Sequence, residues 1–150
     1  MRLALAEARK GIRRGQTPFG ACIVKGKTVI AVAHNSVWKD TDPSAHAEIN
    51  AIRIACRKLK TVDLGGCVLY STCEPCPMCF SACHWARITQ VVWGCRISDA
   101  RRLGFNELLI SSRKMKEAGR SPVSVLRDFM RGDCLRIFKE WKKLSTSLPY

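Results

Sequence analysis

The chain has little acid, no long apolar run and no repeated or low-complexity tract, and each shortage removes a class of protein. No apolar stretch approaches the ~20 residues needed to span a bilayer, so no membrane partner is expected. The first ten residues, Met1-Arg2-Leu3-Ala4-Leu5-Ala6-Glu7-Ala8-Arg9-Lys10, carry charge throughout and lead to no small-residue cleavage site. They do not read as a secretory leader, and a cytoplasmic location is the expectation. Without repeats or a linker, the 150 residues are expected to form one domain, 1–150, around one core. With 47% hydrophobic and 25% charged residues, the composition is that of a globular protein rather than a disordered one.

The shortage of acid is marked: 12 Asp+Glu stand against 26 Lys+Arg, a formal charge of +14. Such an excess favours polyanions, RNA above all, through phosphate contacts and counterion release. The basic residues are spread over 53–60, 113–116 and 139–143, with no arginine-rich arm or base-stacking aromatic motif among them. A solvated basic surface is the competing reading. Nine cysteines, an odd number, read as free thiols and metal ligands in an unsecreted chain rather than as a disulfide framework. Cys22, Cys56, Cys67, Cys95 and Cys134 stand alone and are expected to pack as small apolar groups.

Hydrophobic spacing predicts a helix over 2–14 ending at Gly15, and a hairpin of strands 19–24 and 28–33 about Lys25-Gly26-Lys27. A polar loop over 34–44 follows. A helix is then predicted over 45–59, capped by Ser44 and with Ile49, Ile52, Cys56 and Leu59 on one stripe. Strands are predicted at 67–71, 89–93 and 122–126, and a helix from about Cys76 to Ala86. A turn of helix at 99–102, loop or irregular helix over 107–117, and a last helix capped by Asp133 with Phe138, Trp141 and Leu144 inward complete the pattern. The order specifies an α/β fold, a three-layer α/β/α sandwich around a five-stranded mixed sheet whose parallel part comes from β-α-β units.

The chemistry concentrates in His46-Ala47-Glu48 and Cys73-Glu74-Pro75-Cys76-Pro77-Met78-Cys79. One imidazole and a Cys-x-x-Cys pair offer three ligands to zinc and leave a tetrahedral ion one open position for water. Water there has its pKa lowered from about 15.7 to about 7. Glu48, two residues from His46, is placed to carry the released proton. Cysteines at a helix start are more easily held as thiolates, and His46 and Glu48 fall in the first turn of another helix. Three rivals share the cysteines. Cys73, Cys76, Cys79 and Cys83 have the spacing of a bacterial ferredoxin run, although His84 stands where that run has proline. Cys73 is also available as a fourth ligand closing a structural zinc site, and Cys76-Cys79 as a redox dithiol. None of the three uses Glu48.

His-x-Glu followed by Pro-Cys-x-x-Cys is the signature of zinc deaminases acting on nucleobases. With Thr17-Pro18-Phe19-Gly20, Asp42-Pro43-Ser44-Ala45-His46-Ala47-Glu48, Gly104-Phe105-Asn106-Glu107 and the terminal Tyr150, the chain resembles the cytidine deaminase-like superfamily over nearly its whole length. Within it, these motifs resemble the guanine deaminase branch and the plant guanosine deaminases. The resemblance implies one Zn²⁺ per chain on His46, Cys76 and Cys79 with water as fourth ligand, and Glu48 as catalytic proton shuttle. It implies Asn35 and the Ala47 backbone N–H at the purine edge, Phe19 and Trp85 stacking on or walling the base, and Glu107 and Tyr150 selecting it. It also implies a homodimer that exchanges residues 133–150, so that Tyr150 closes the partner's site. The expected reaction is guanine to xanthine plus ammonia. The alternatives are adenosine to inosine in the tRNA anticodon, which would use the basic surface, and deamination of cytosine, a nucleoside or an aminotriazine. The chain departs from the branch in a short N-terminal helix and in Asn106-Glu107, where an acidic pair is usual.

Overall fold

The computed structural model describes residues 1–145 and 147–150; Thr146, part of the expected tail, lies outside the described residues. In chain order the elements are α1 (Arg2–Arg13), β1 (Gly20–Lys25), β2 (Thr28–His34), α2 (Val37–Asp40), α3 (Ala47–Leu59), β3 (Cys67–Cys73), α4 (Pro77–Trp85), β4 (Gln90–Cys95), α5 (Ile97–Arg102), α6 (Ser112–Ala118), β5 (Ser124–Leu126) and α7 (Arg131–Lys142). The sheet order is β2-β1-β3-β4-β5. β1 runs antiparallel to β2 and β3, whereas β3, β4 and β5 are parallel, as the β-α-β pattern demands. This is the expected three-layer α/β sandwich on a five-stranded mixed sheet.

One face of the sheet is covered by α3 and α4, with α6 beside α4, and the other by α1 and α7. The second pair comes in close because two strand residues lack side chains. A Cβ on Gly20 would lie 2.1 Å from the Ala4 carbonyl oxygen in α1, and one on Gly94 would lie 2.2 Å from Cys134 Sγ in α7. The larger core lies under α3 and α4 around Ile23, Leu69, Phe80, Val91 and Trp93. A second cluster around Phe105, Ile137, Phe138 and Trp141 sits beside the site.

Several expectations are corrected. α3 begins at Ala47, and Ser44 does not cap it: the Ser44 amide and hydroxyl both donate to Asp42 Oδ1 at 2.7 Å. The N-cap is His46. α3 buries Ala47, Glu48, Ala51 and Ala55 rather than the predicted isoleucine stripe, because small side chains let the helix lie close on the sheet. Ile52, Cys56 and Leu59 flank that line partly buried. The polar loop contains the short helix α2, and the ambiguous stretch resolves into α5, a loop and α6. Met130, not Asp133, precedes α7, and Leu144 points outward beyond the helix end.

Candidate active site

The site forms at the carboxyl ends of β3 and β4, where open α/β sheets place ligands. β3 ends at Cys73, and the chain turns through Glu74-Pro75 into Cys76, the N-cap of α4, with Pro77 first in the helix. Proline suits that position because its missing N–H would have no intrahelical partner. His46 caps α3 in the same extended geometry, φ −67° and ψ 155°, against −62° and 168° at Cys76. His46 makes no side-chain bond to its own helix, and Cys76 engages its helix only through Cys79, its fellow donor. Both side chains are instead free to face each other across the gap between two positive helix ends.

His46 Nδ1 lies 3.7 Å from Cys76 Sγ and 3.4 Å from Cys79 Sγ. Tetrahedral zinc with ordinary Zn–S and Zn–N lengths sets its nitrogen and sulfur ligands ~3.6 Å apart, so both nitrogen–sulfur separations suit that ion, and all three donor atoms lie within 4.8 Å of one another. Cys73 is absent from this grouping among the described residues, and its Sγ meets the Arg96 carbonyl at 3.6 Å instead. Cys83 is likewise outside it. The arrangement matches neither a four-ligand structural site nor a four-cysteine cluster.

Without an ion the thiols share protons unequally. A hydrogen bond from Cys79, with help from His46 and against burial, brings Cys76 down to about 4, while the same bond and burial push Cys79 up. Burial opposes the His46 imidazolium, yet Cys76 and Glu48 raise its pKa overall. A cation at the three donors would remove this difference by holding both sulfurs as thiolates. Glu48, in the first turn of α3 and buried, has its carboxyl raised by burial, partly offset by His46. Ser71 Oγ donates to Glu48 Oε1 at 2.8 Å, and the Cys79 thiol approaches Oε2 at 3.6 Å. One carboxylate oxygen is thus fixed by β3, and the other faces the ligand cluster.

A cavity of about 270 Å³ opens above this cluster, lined in part by Phe19, Asn35, His46, Glu48, Glu107 and Tyr150. Tyr150 closes it: Asn35 Nδ2 donates to the Tyr150 hydroxyl at 2.6 Å, and the Asn106 backbone N–H donates to the Tyr150 carbonyl at 3.0 Å. The tyrosine ring lies 5.8 Å from His46 and 5.6 Å, edge-on, from Phe105. In this single chain Tyr150 therefore covers its own site. Asn35 Oδ1 accepts from the Val37 N–H at 3.1 Å, which leaves one amide hydrogen for a ligand. Burial, with the Cys76 thiolate adding to it, pushes the Glu107 carboxyl up to about 7. Ala47 is buried at the start of α3, where its N–H is one of those that a helix leaves unpaired.

Trp85 does not belong here. It is 82% exposed at the end of α4 and borders a different cavity with Arg87, Thr89 and Pro122. Sequence reasoning missed Ser71, Glu74, Phe105 and Asn106. The last two lie inside the Gly104-Phe105-Asn106-Glu107 motif and Glu74 between the cysteines, so each had a signal, whereas Ser71 is placed only by the pairing of strands.

A family model described as the cytidine and deoxycytidylate deaminase zinc-binding region matches residues 1–95. The chain belongs to this deaminase family. The guanine deaminase of Bacillus subtilis is 36% identical over 151 residues, covering 100% of this chain and 96% of its own. The tRNA-specific adenosine deaminase of Aquifex aeolicus is 48% identical over 93 residues, 62% of each chain. The solved structure of guanine deaminase from Nitrosomonas europaea superposes with a TM-score of 0.86 at 28% identity, over 94% of this chain and 81% of its own. The chain is thus a hydrolytic deaminase with the α/β fold of its relatives. Relatives of this deaminase include guanine and tRNA adenosine enzymes alike. Among its described residues no helix is long and apolar enough to cross a membrane.

Proposed function

We propose that the chain deaminates a free purine base, guanine first, to give xanthine and ammonia. The observation that carries this reading is the chemistry of the cavity over the three donors. At about 270 Å³ it is at or below the small end of ligand pockets, ~300–1,000 Å³, and Tyr150 covers it. Three carboxylates, Glu48, Glu74 and Glu107, border it, and no lysine or arginine does so among the described residues. Such a lining suits a small neutral ring with N–H donors and offers no cation to a phosphate. The similarity to the Bacillus guanine deaminase along the whole chain supports the same substrate.

His46, Cys76 and Cys79 would hold zinc, which when bound supplies a Lewis-acid centre and a water acidic enough to be hydroxide near neutral pH. Glu48 accepts one proton of the attacking water and delivers it to a ring nitrogen, then takes the second from the new hydroxyl on the ring carbon and delivers it to the departing amine, which leaves as ammonia. Its burial favours the protonated form between those transfers, and the Ser71 hydrogen bond keeps the carboxylate aimed. Glu107 accepts from the N1–H and exocyclic amine of guanine, while the remaining Asn35 amide hydrogen and the Ala47 N–H donate to its acceptors. Phe19 stands with its ring against Phe105 and Phe138 and walls the base plane. Tyr150 shuts the cavity behind it. In a dimer with exchanged tails the same residue would arrive from the partner.

The net charge of +14 favours a second reading, deamination of adenosine in a tRNA anticodon. Ammonia release from guanine, guanosine, cytosine, adenosine and an anticodon stem-loop at two salt concentrations separates the two. Turnover of guanine that is insensitive to salt is the expected result. Activity confined to the stem-loop and falling steeply with salt would overturn the proposal.

A further inference from the structure

Glu74 lies between two cysteines of the metal segment, yet it is not a ligand, and the reaction as described has no use for it. Its carboxylate spans two distant starts of helix. Oε1 accepts the backbone N–H of Ser112 at 3.0 Å, and Oε2 accepts that of Ile97 at 3.3 Å. Ser112 is the first residue of α6 and Ile97 the first of α5. One side chain therefore caps both helices that bracket the stretch 103–111, which carries Phe105, Asn106, Glu107 and Leu108 to the cavity. The Ser112 hydroxyl adds a bond to the Pro75 carbonyl at 2.9 Å, and the Glu74 N–H donates to the Cys95 carbonyl at 2.8 Å.

The early part of that stretch is tied to α5 through the Leu103, Gly104 and Phe105 N–H groups and to the tail through the Asn106 N–H and the Tyr150 carbonyl, whereas residues 107–111 have less to order them. Leu108, Leu109 and Ile110 are exposed, and the backbone bonds within the stretch are Glu107 N–H to Phe105 O and Ile110 N–H to Leu108 O. Phe105, packed at 5.3 Å on Trp141 in α7, pins the early part of the loop. At the far end Ser111 caps α6 by accepting the Lys114 N–H at 3.2 Å, and Ser112 carries the bonds that tie this end to Glu74 and Pro75. Hydrogen bonds from backbone N–H to a carboxylate are about twice as strong as neutral ones.

We infer that Glu74 is a positioning residue that locks the recognition loop 103–111 to the metal-ligand segment, so that Glu107 is held over the ion's side of the cavity. The kinetic half of this inference rests on the reading of Glu107 as a base contact; the structural half does not. A glutamine at position 74 keeps one acceptor oxygen but turns its NH₂ toward the other helix start, which sets donor against donor.

The test uses the zinc-loaded chain. In E74Q, hydrogen exchange of amides 105–112 should accelerate about tenfold or more, the scale expected for a lost charged hydrogen bond. KM for whichever base the wild type turns over should rise about tenfold with kcat nearly unchanged, and zinc should remain at one per chain. S112P and S112A form an independent pair. Proline removes only the capped N–H and the hydroxyl at a first helical position, and Ser111 before it already has the extended φ −67° and ψ 150° that a following proline requires. S112A keeps the N–H. S112P should reproduce the E74Q exchange pattern, and S112A should show a smaller change. Unaltered exchange in both E74Q and S112P, or equal loosening in S112A and S112P, would overturn the inference. If E74Q does not fold, the serine pair decides alone. If guanine proves not to be the substrate, the exchange result still stands.

Discussion

The two ends of the cavity are built in opposite ways. At the metal end, His46, Glu48, Cys76 and Cys79 sit at or within a turn of the starts of α3 and α4, on helices packed against the sheet. At the recognition end, Glu107 and Tyr150 belong to a loop and a tail held by a few hydrogen bonds. The reactive groups need one geometry for every substrate of the family, and rigid helix starts provide it. On the proposed reading of Glu107 and Tyr150, choice of base can change while that geometry stays fixed, because it resides in segments outside the helices and strands of the core. The relatives include guanine and tRNA adenosine deaminases alike.

Experiments can break this division in order of effect. Replacing Cys79 by serine should abolish zinc binding and turnover together, since two remaining ligands make a poor site; retained metal and activity would return Cys73 to consideration as a ligand. E48A should keep zinc and lose at least about 10²-fold in kcat, the usual worth of a positioned general acid/base. An active, zinc-loaded alanine variant would remove Glu48 from the reaction. At the recognition end, E107Q should leave zinc content and the attack step intact but narrow the preference for guanine over 2-aminopurine, which keeps the departing amine and lacks the N1–H. Sites that bond a required donor discriminate by up to about 10⁴–10⁵, so a change of 10-fold or more is readable. An unchanged preference would place selection elsewhere.

The smallest effect lies outside the cavity. Asp99, at the start of α5, accepts from both Arg131 terminal nitrogens and from the Arg96 N–H, and Arg102 also bonds to it. Burial works against its charge, but Arg131 and these N–H groups hold its carboxyl down at about 2 against 3.8. The folded state thus has the lower pKa. Its contribution, on the order of 2 kcal/mol, is full above about pH 4 and is lost as pH falls toward 2. D99N should remove that part of the acid sensitivity in a denaturation series from pH 5 to pH 2, leaving the metal end untouched at neutral pH.

Much of the metal end was legible in the sequence because its residues are close along the chain. His-x-Glu and Pro-Cys-x-x-Cys are local patterns, and the β-α-β order places both at the same sheet edge. The recognition end depends on contacts between distant segments. Asn35 meets Tyr150, and Glu74 meets Ser112, for reasons of topology that spacing cannot express. Trp85 is the opposite case: the family resemblance implied a wall for the base, but the end of α4 carries it away to solvent. Ser44 was the better cap by propensity, and His46 displaced it because Asp42 engages the serine locally. Alanines rather than isoleucines line the buried side of α3, since hydrophobicity marks what prefers burial and close packing favours what is small.

His46 and Cys76 occupy the two positions where serine or aspartate ordinarily quiets the opening turn of a helix. A positive ion held between them would tie the two helix starts together. Chelation should then show itself first as a lower melting temperature shared by α3 and α4, with the sheet beneath them intact, and restoring the ion should bring both helices back in a single step.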